Sequence, residues 1–185
     1  MTYPTKAEVC GVLYNLNTDY KVALRCFSVI NDPDVCDEER ALAVIYLLFD
    51  HIPDKYLNEF LRVSKLFLQC GNENNDKNSG SIDVDYIADQ AYISASFMSD
   101  YHMNIDAIPY MHWWKYVELI NGLTDQCVLS RVREIRNYDL SECKDPKVKS
   151  KIIRAKQQFS LPVRHSKKQK SAIDEFETLF LEESK

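Results

Sequence analysis

Ile108-Pro109-Tyr110-Met111-His112-Trp113-Trp114-Lys115-Tyr116-Val117-Glu118-Leu119-Ile120-Asn121-Gly122-Leu123 holds both tryptophans of the 185-residue chain. Pro109 suits a first helical turn, which predicts a helix opening there. Met111, Trp114, Val117 and Ile120 recur at helical spacing, and Trp113, Tyr116, Ile120 and Leu123 form a second stripe. Two overlapping stripes leave little polar circumference, so this helix is expected at the centre of the core. Burying two indoles and a tyrosine removes a large apolar area from water, at roughly 25 cal/mol per Å².

Outward from this helix the pattern stays helical. On the N-terminal side, Asp37-Glu38-Glu39 places acid in a first turn, and residues 41–49 continue it as an apolar run. That second helix is apolar nearly all round and is expected to be buried. Pro53 is read as the start of a third, with Tyr56, Phe60, Val63 and Phe67 on one stripe and Gly71 as its stop. Asn17 or Thr18 offers an N-cap to residues 19–30, where Tyr20, Leu24 and Phe27 recur. Before it, Glu8 to Leu16 reads as two short strands turning at Gly11. A lone hairpin is marginal in water, so this one must lie on helices or add to a partner's sheet.

Residues 72–81 contain no apolar side chain and read as a mobile loop dividing two helical halves. Beyond it, residues 83–98 form a helix with Tyr86, Ile93 and Phe97 on one face and Asp85, Asp89 and Ser96 on the other. Thr124-Asp125 is read as the cap of a helix through Val128, Val132 and Ile135, with Arg131, Arg133 and Arg136 outside. Asp145-Pro146 opens a basic helix carrying Val148, Ile152, Ala155 and Phe159 on a single stripe. Residues 144–170 hold ten bases and one acid; residues 171–185 hold five acids and one base. The expected architecture is mainly α, about six to seven helices over residues 1–162 with a small N-terminal β-hairpin. Residues 163–185 follow as a flexible extension: a charged linker at 164–170, then a short amphipathic helix at 172–181.

Composition bounds the chemistry. Hydrophobic residues make up 45% and charged residues 28%, the balance of a soluble globular protein. Net charge is −5, which disfavours polyanion binding overall. Four glycines argue against glycine-rich phosphate loops. The first residues lack the apolar run of a signal peptide, and no stretch approaches the ~18 apolar residues of a membrane span. Six scattered cysteines without a C-x-x-C pair are read as reduced thiols. His51, His102, His112 and His165 show no zinc spacing, and His112 reads as a hydrogen-bonded structural residue. Asp85 and Asp89, one turn apart, could pair for acid–base work, but a solvated helix face is the better reading. The basic run could grip phosphates. Little aromatic interleaving favours instead a solvated face or a surface for an acidic segment. No catalytic, metal or cofactor constellation is found, and the expectation is a non-enzymatic interaction protein.

Several pieces then occur in order: Asn17-Thr18-Asp19-Tyr20-Lys21; Asp89-x-x-Tyr92-Ile93-x-Ala95-x-Phe97-x-x-x-Tyr101; Met111-His112-Trp113-Trp114-Lys115-Tyr116; Gly122-Leu123-Thr124; Ile135-Arg136-Asn137-Tyr138-Asp139-Leu140; Lys156-x-x-Phe159-x-Leu161-Pro162. The series resembles a family of small siphophage and prophage proteins from Gram-positive hosts, encoded just before the tape measure gene and regarded as tail assembly chaperones. It covers residues 8–162, and His112-Trp113-Trp114, with Tyr92, Phe97 and Tyr101, is its core motif. The resemblance implies a homo-oligomeric protein of the host cytoplasm, absent from the mature virion. Copies would coat the tape measure protein and leave as tail tube subunits polymerise, which makes the major tail tube protein a second partner. Candidate contact residues are Ile173, Phe176, Leu179 and Phe180 of the C-terminal stripe and Lys147, Lys151 and Arg154 of the basic helix.

Overall fold

Lys6–Val9 (β1) and Val12–Asn15 (β2) pair antiparallel, with Val9 opposite Val12. Cys10 (φ 49°) and Gly11 (φ 81°) form the two-residue turn, both left-handed, the geometry that matches strand twist. The hairpin lies on helices: Val9 is buried, and the Tyr14 ring meets Phe60 at 5.0 Å and Phe49 at 6.2 Å, both edge-on. The computed structural model describes residues 2–51, 53–72, 83–141 and 143–164. Seven α-helices complete the described chain, so the mainly α expectation holds.

Helix α1 (Tyr20–Ile30) is capped by Asp19, whose carboxylate accepts the Lys21 N–H at 3.1 Å, and not by Asn17 or Thr18. The reason is tertiary. Tyr20 N–H donates to the Met111 carbonyl and Trp113 N–H to that of Thr18, both at 2.8 Å, which holds Thr18-Asp19 extended. Helix α2 (Asp37–Phe49) starts on its three acids. It is buried on one face only: Val44, Ile45, Leu48 and Phe49 point inward, whereas Tyr46 is 52% exposed.

Helix α3 (Leu57–Leu68) begins after the expected Pro53, because Tyr56 is left-handed (φ 62°) and its ring faces solvent. Phe60, Val63 and Phe67 are buried as their spacing predicts. Its end is closed by left-handed Cys70 and Gly71, and the Gly71 N–H donates to the Leu66 carbonyl at 2.9 Å.

Helix α4 (Gln90–Tyr101) starts well after Asp83, because the Asp85 carboxylate accepts the N–H groups of Ile87 (2.9 Å) and Ala88 (3.0 Å) and bends the chain into a turn. A 3₁₀ turn (Ile105–Ala107) leads to α5 (Trp113–Asn121), then α6 (Val128–Asn137) and α7 (Pro146–Gln158). Pro109 is not in the tryptophan helix, which starts where His112 caps it. Cys127 caps α6, while the expected Thr124 is drawn away by the Asp100 carboxylate, which accepts its N–H at 2.7 Å and its hydroxyl at 2.9 Å. Asp145 caps α7 with Pro146 in first position, as expected.

The polar stretch does not divide the core. Tyr20, Ile45, Leu48, Phe60, Ile93, Phe97, Trp113, Tyr116 and Leu129 belong to one buried cluster. Helix α5 joins the parts: Tyr116 stacks on Tyr20 at 4.7 Å, and Trp113 packs on Phe27 at 5.5 Å. Helix α7 is attached differently. None of its side chains is fully buried, and Phe159 just beyond it meets Tyr92 edge-on at 6.1 Å. The expected mobile loop beyond Asn72 and the amphipathic helix at 172–181 lie outside the described residues.

Candidate functional site

His112, Trp113 and Trp114 solve three helix-end problems at once. His112 Nδ1 accepts the Trp114 N–H at 3.1 Å, capping its own helix. With Nδ1 accepting, Nε2 carries the proton and donates to the Pro4 carbonyl at 3.0 Å, and Tyr3 stacks on the ring at 4.8 Å. The two indole N–H groups donate to adjacent carbonyls at the end of α3, Trp113 to Leu68 at 3.0 Å and Trp114 to Phe67 at 2.9 Å. The last carbonyls of a helix have no partner within it, so this pair of tryptophans caps α3 from outside. Gly71 is needed beside them, since a Cβ there would sit 3.2 Å from the Trp114 ring. Trp113 is 1% exposed and His112 is buried; Trp114 is half-buried. The other motif aromatics are also internal or half-buried: Phe97 is fully buried, Tyr92 packs on Phe159, and the Tyr101 hydroxyl donates to the Leu119 carbonyl at 2.8 Å. None of these groups presents reactive chemistry to solvent.

The acidic face is a correction. Asp89 is 1% exposed and not solvated. Its carboxylate receives both Nη groups of Arg136, at 2.6 and 2.7 Å, a bidentate pair whose arginine side chain is only 10% exposed. Arg136, expected outside, also donates Nη1 to the Asp83 carbonyl at 2.7 Å and Nε to the Phe159 carbonyl at 2.6 Å. The hydrogen-bonded Asp89 carboxylate raises the Arg136 pKa above its ordinary value. Arg133 pairs with Asp83 at 2.9 Å, and Arg164 pairs with Asp85. Each carboxylate of the supposed acid–base pair is therefore matched by a guanidinium. The assembly fastens the start of α4, the end of α6 and the chain beyond α7 to one another. Burial is what sequence spacing missed, although Asp89 and Arg136 both fall within the ordered motifs.

Among the described residues, no group of three or more His, Cys, Asp or Glu could hold a metal ion. No described helix is long and apolar enough to cross a membrane. All six cysteines are free thiols. Burial pushes the Cys26 thiol up to about 12 and that of Cys70 up to about 11.

An apolar groove of about 340 Å³ opens where α1, α2 and α3 meet. Phe27 and Ile30 line it from α1, Ala41 and Val44 from α2, and Leu61 and Leu68 from α3, with Asp37, Arg40 and Lys65 at its polar margin. Arg40 is fixed in place, donating to the Asp37 carboxylate at 2.6 Å and to the carbonyls of Val35 (2.8 Å) and Asp32 (2.9 Å). Sequence periodicity assigned these apolar residues to helix faces without showing that three faces leave a gap between them.

The basic helix places Lys147, Lys151 and Arg154 in solvent on α7, beside exposed Val148 and Ile153. Ile173, Phe176, Leu179 and Phe180 lie outside the described residues, so the structure does not bring the two sets together. Comparison with curated proteins and with solved structures gives no match. A family model described as "Bacteriophage Gp15 protein" matches residues 3–161, and the chain thus belongs to this bacteriophage protein family.

Proposed function

We propose that this protein is a non-catalytic tail assembly chaperone that binds and coats the tape measure protein in the cytoplasm of the bacterial host. It leaves as tail tube subunits assemble and is absent from the finished virion. The observation that carries this reading is the groove across α1–α3, apolar along its floor and charged at its margin. Such a groove accepts side chains spaced one helical turn apart on an amphipathic partner, the pattern a long helical client repeats along its length. Weak, repeated contacts of this size suit a protein that must bind many similar segments and then release them. Exposed Val12 and Leu13 at the hairpin tip, with the unpaired sheet edges, provide a separate surface for self-association.

The test is co-expression with the phage's own tape measure protein. Soluble tape measure should appear and co-purify with the wild type, and Ala41→Glu at the groove should lose both effects while keeping its helical circular dichroism. Tape measure protein that stays equally insoluble with and without the partner would refute the reading. Mass spectrometry of purified virions should find no copies of this chain; stoichiometric copies would make it a structural tail protein. Light scattering across a concentration series should show species larger than one chain.

A further inference from the structure

The hairpin leaves one strand edge open. Leu16 N–H donates to the Thr5 carbonyl at 2.9 Å, and the two-residue turn makes Val9 and Val12 a hydrogen-bonded pair. Thr5, Ala7 and Val9 therefore direct their backbone groups at β2, while Pro4, Lys6 and Glu8 direct theirs away from it. The Pro4 carbonyl agrees with this alternation, since it is His112 Nε2 that reaches it. Among the described residues, the backbone N–H and carbonyl groups of Lys6 and Glu8 have no hydrogen-bond partner. The outer side of β2 is less open: two residues beyond Asn15, the Asn17 N–H donates to the Leu48 carbonyl of α2 at 2.7 Å.

The side chains along the β1 edge select what pairs with it. Lys6 and Glu8 are both exposed, two residues apart on one face, and neither has an ion-pair partner among the described residues. Charged residues on an edge strand normally keep other strands away. Here their order favours one pairing. An antiparallel copy of the same strand centred on Ala7 sets Lys6 opposite the partner's Glu8, and Glu8 opposite the partner's Lys6, two attractive pairs. Shifting that copy by two residues sets Lys6 opposite the partner's Lys6, or Glu8 opposite the partner's Glu8. An in-register parallel copy also aligns like with like.

Backbone direction agrees with the same register, because Lys6 and Glu8 are the residues whose groups point outward, so each opposing pair can exchange two hydrogen bonds. Ala7 meets the partner's Ala7 at the non-hydrogen-bonded position, where strands come closest (Cα–Cα about 4.5 Å) and a small side chain fits. The length fits too. Opposite Pro4, where His112 occupies the edge, the partner strand has reached its turn at Cys10 and leaves. A cleft of about 280 Å³ borders this edge, lined by Leu66 and Trp114 as well as Lys6 and Glu8, and by none of residues 12–15. An arriving strand thus meets apolar surface as well as backbone.

We propose that two copies of this chain join along β1 across a two-fold axis at Ala7, giving a four-stranded sheet in the order β2-β1-β1-β2. This deepens the self-association of the chaperone reading by assigning it to one edge, one register and a second copy.

Sedimentation of the full chain over a concentration series should show a monomer–dimer equilibrium. Lys6→Glu and Glu8→Lys each place like charges in both pairs, so either should weaken the dimer about tenfold with circular dichroism unchanged. Mixing the two variants restores both attractive pairs and should give a heterodimer, and the chain carrying both exchanges should pair like the wild type. Hydrogen exchange at the Lys6 and Glu8 amides should slow as concentration rises. A monomer at every concentration, single variants that associate as tightly as the wild type, a mixture that stays monomeric, or amides indifferent to concentration would each overturn the proposal. Tape measure capture is a separate readout. Soluble tape measure protein beside a monomeric chain would end this proposal alone, and a dimer that leaves it insoluble would end the chaperone reading alone.

Discussion

Arg136→Met would remove the guanidinium that neutralises Asp89. The Asp89 side chain is 1% exposed, so its carboxylate would be left in the interior with the Asp85 N–H (2.9 Å) as its remaining hydrogen bond. Removing one partner of a buried pair costs ~3–5 kcal/mol, against a total stability of ~5–15 kcal/mol. Asp89→Leu strands the opposite charge. Its cost should fall at the lower end of the same range, because Arg136 keeps the carbonyls of Asp83 and Phe159 and is nearer to water. The double variant puts two apolar side chains of similar volume where the ion pair was, an exchange that is often close to neutral. The two single costs should therefore exceed the double cost by about 3 kcal/mol or more, the signature of direct coupling.

Urea unfolding followed by tryptophan fluorescence measures all four proteins, since both indoles bond to the end of α3 and report its loss. Hydrogen exchange adds a local readout. Arg136 Nε holds the Phe159 carbonyl and Lys156 Nζ holds that of Arg136 at 2.9 Å, so Arg136→Met should speed exchange along α7 more than Asp89→Leu does. Additivity of the two substitutions within ~0.5 kcal/mol would refute the reasoning. So would equal exchange in α7 for the two single variants.

Replacing Trp113 and Trp114 together by alanine should give insoluble or molten protein, at ~3–5 kcal/mol for buried Trp113 and less for half-buried Trp114; a cooperative melt near wild type would contradict the capping role. The Tyr116 hydroxyl is buried without a hydrogen-bond partner among the described residues, and burial raises its pKa, so Tyr116→Phe should be neutral or stabilising by up to ~1 kcal/mol. A loss above that amount would mean the hydroxyl is bonded. With a thiol reagent at pH 8, exposed Cys10 and Cys36 should react quickly. Cys26, pushed up to about 12, should not, since only about one thiol in ten thousand is then ionised. Cys26 is also 0% exposed, so rapid labelling at pH 8 would show that α1 opens locally.

The helices themselves were legible because apolar spacing is a local signal. Phe60, Val63 and Phe67, or Ile93 and Phe97, had to share a face whatever they packed against. Helix starts were less legible. Asn17 and Thr18, Pro53, Pro109 and Thr124 are all good local start signals. At two of them the structure shows a distant partner taking over: the Trp113 N–H holds the Thr18 carbonyl, and Asp100 holds Thr124. The buried ion pair was illegible for a stronger reason. A charged side chain has one appearance in sequence whether it faces water or a counter-charge, so Asp89 and Arg136 read like Asp85 and Arg131. The groove was illegible too, because a gap is a property of three faces and not of any one.

A helix leaves its first four N–H groups and last four carbonyls without internal partners, and helices of 9–13 residues carry those ends as a large share of their length. Alone, such helices are marginal in water. In this chain the ends are closed by long side chains from elsewhere: Trp113 and Trp114 on α3, Tyr101 on α5, Lys156 on the end of α6 and Arg136 on the residue after α7. Lys21 does the same for the loop before α5, donating to the Ile108 carbonyl at 2.7 Å. Every one of these donors belongs to an ordered motif. The residues of the ordered motifs are thus the ones that close the helices against one another, and a motif of this kind reports the fold. The groove is lined by none of them. A substitution such as Ala41→Glu therefore changes the groove while leaving these helix-end contacts in place, so the frame and the groove can be tested apart.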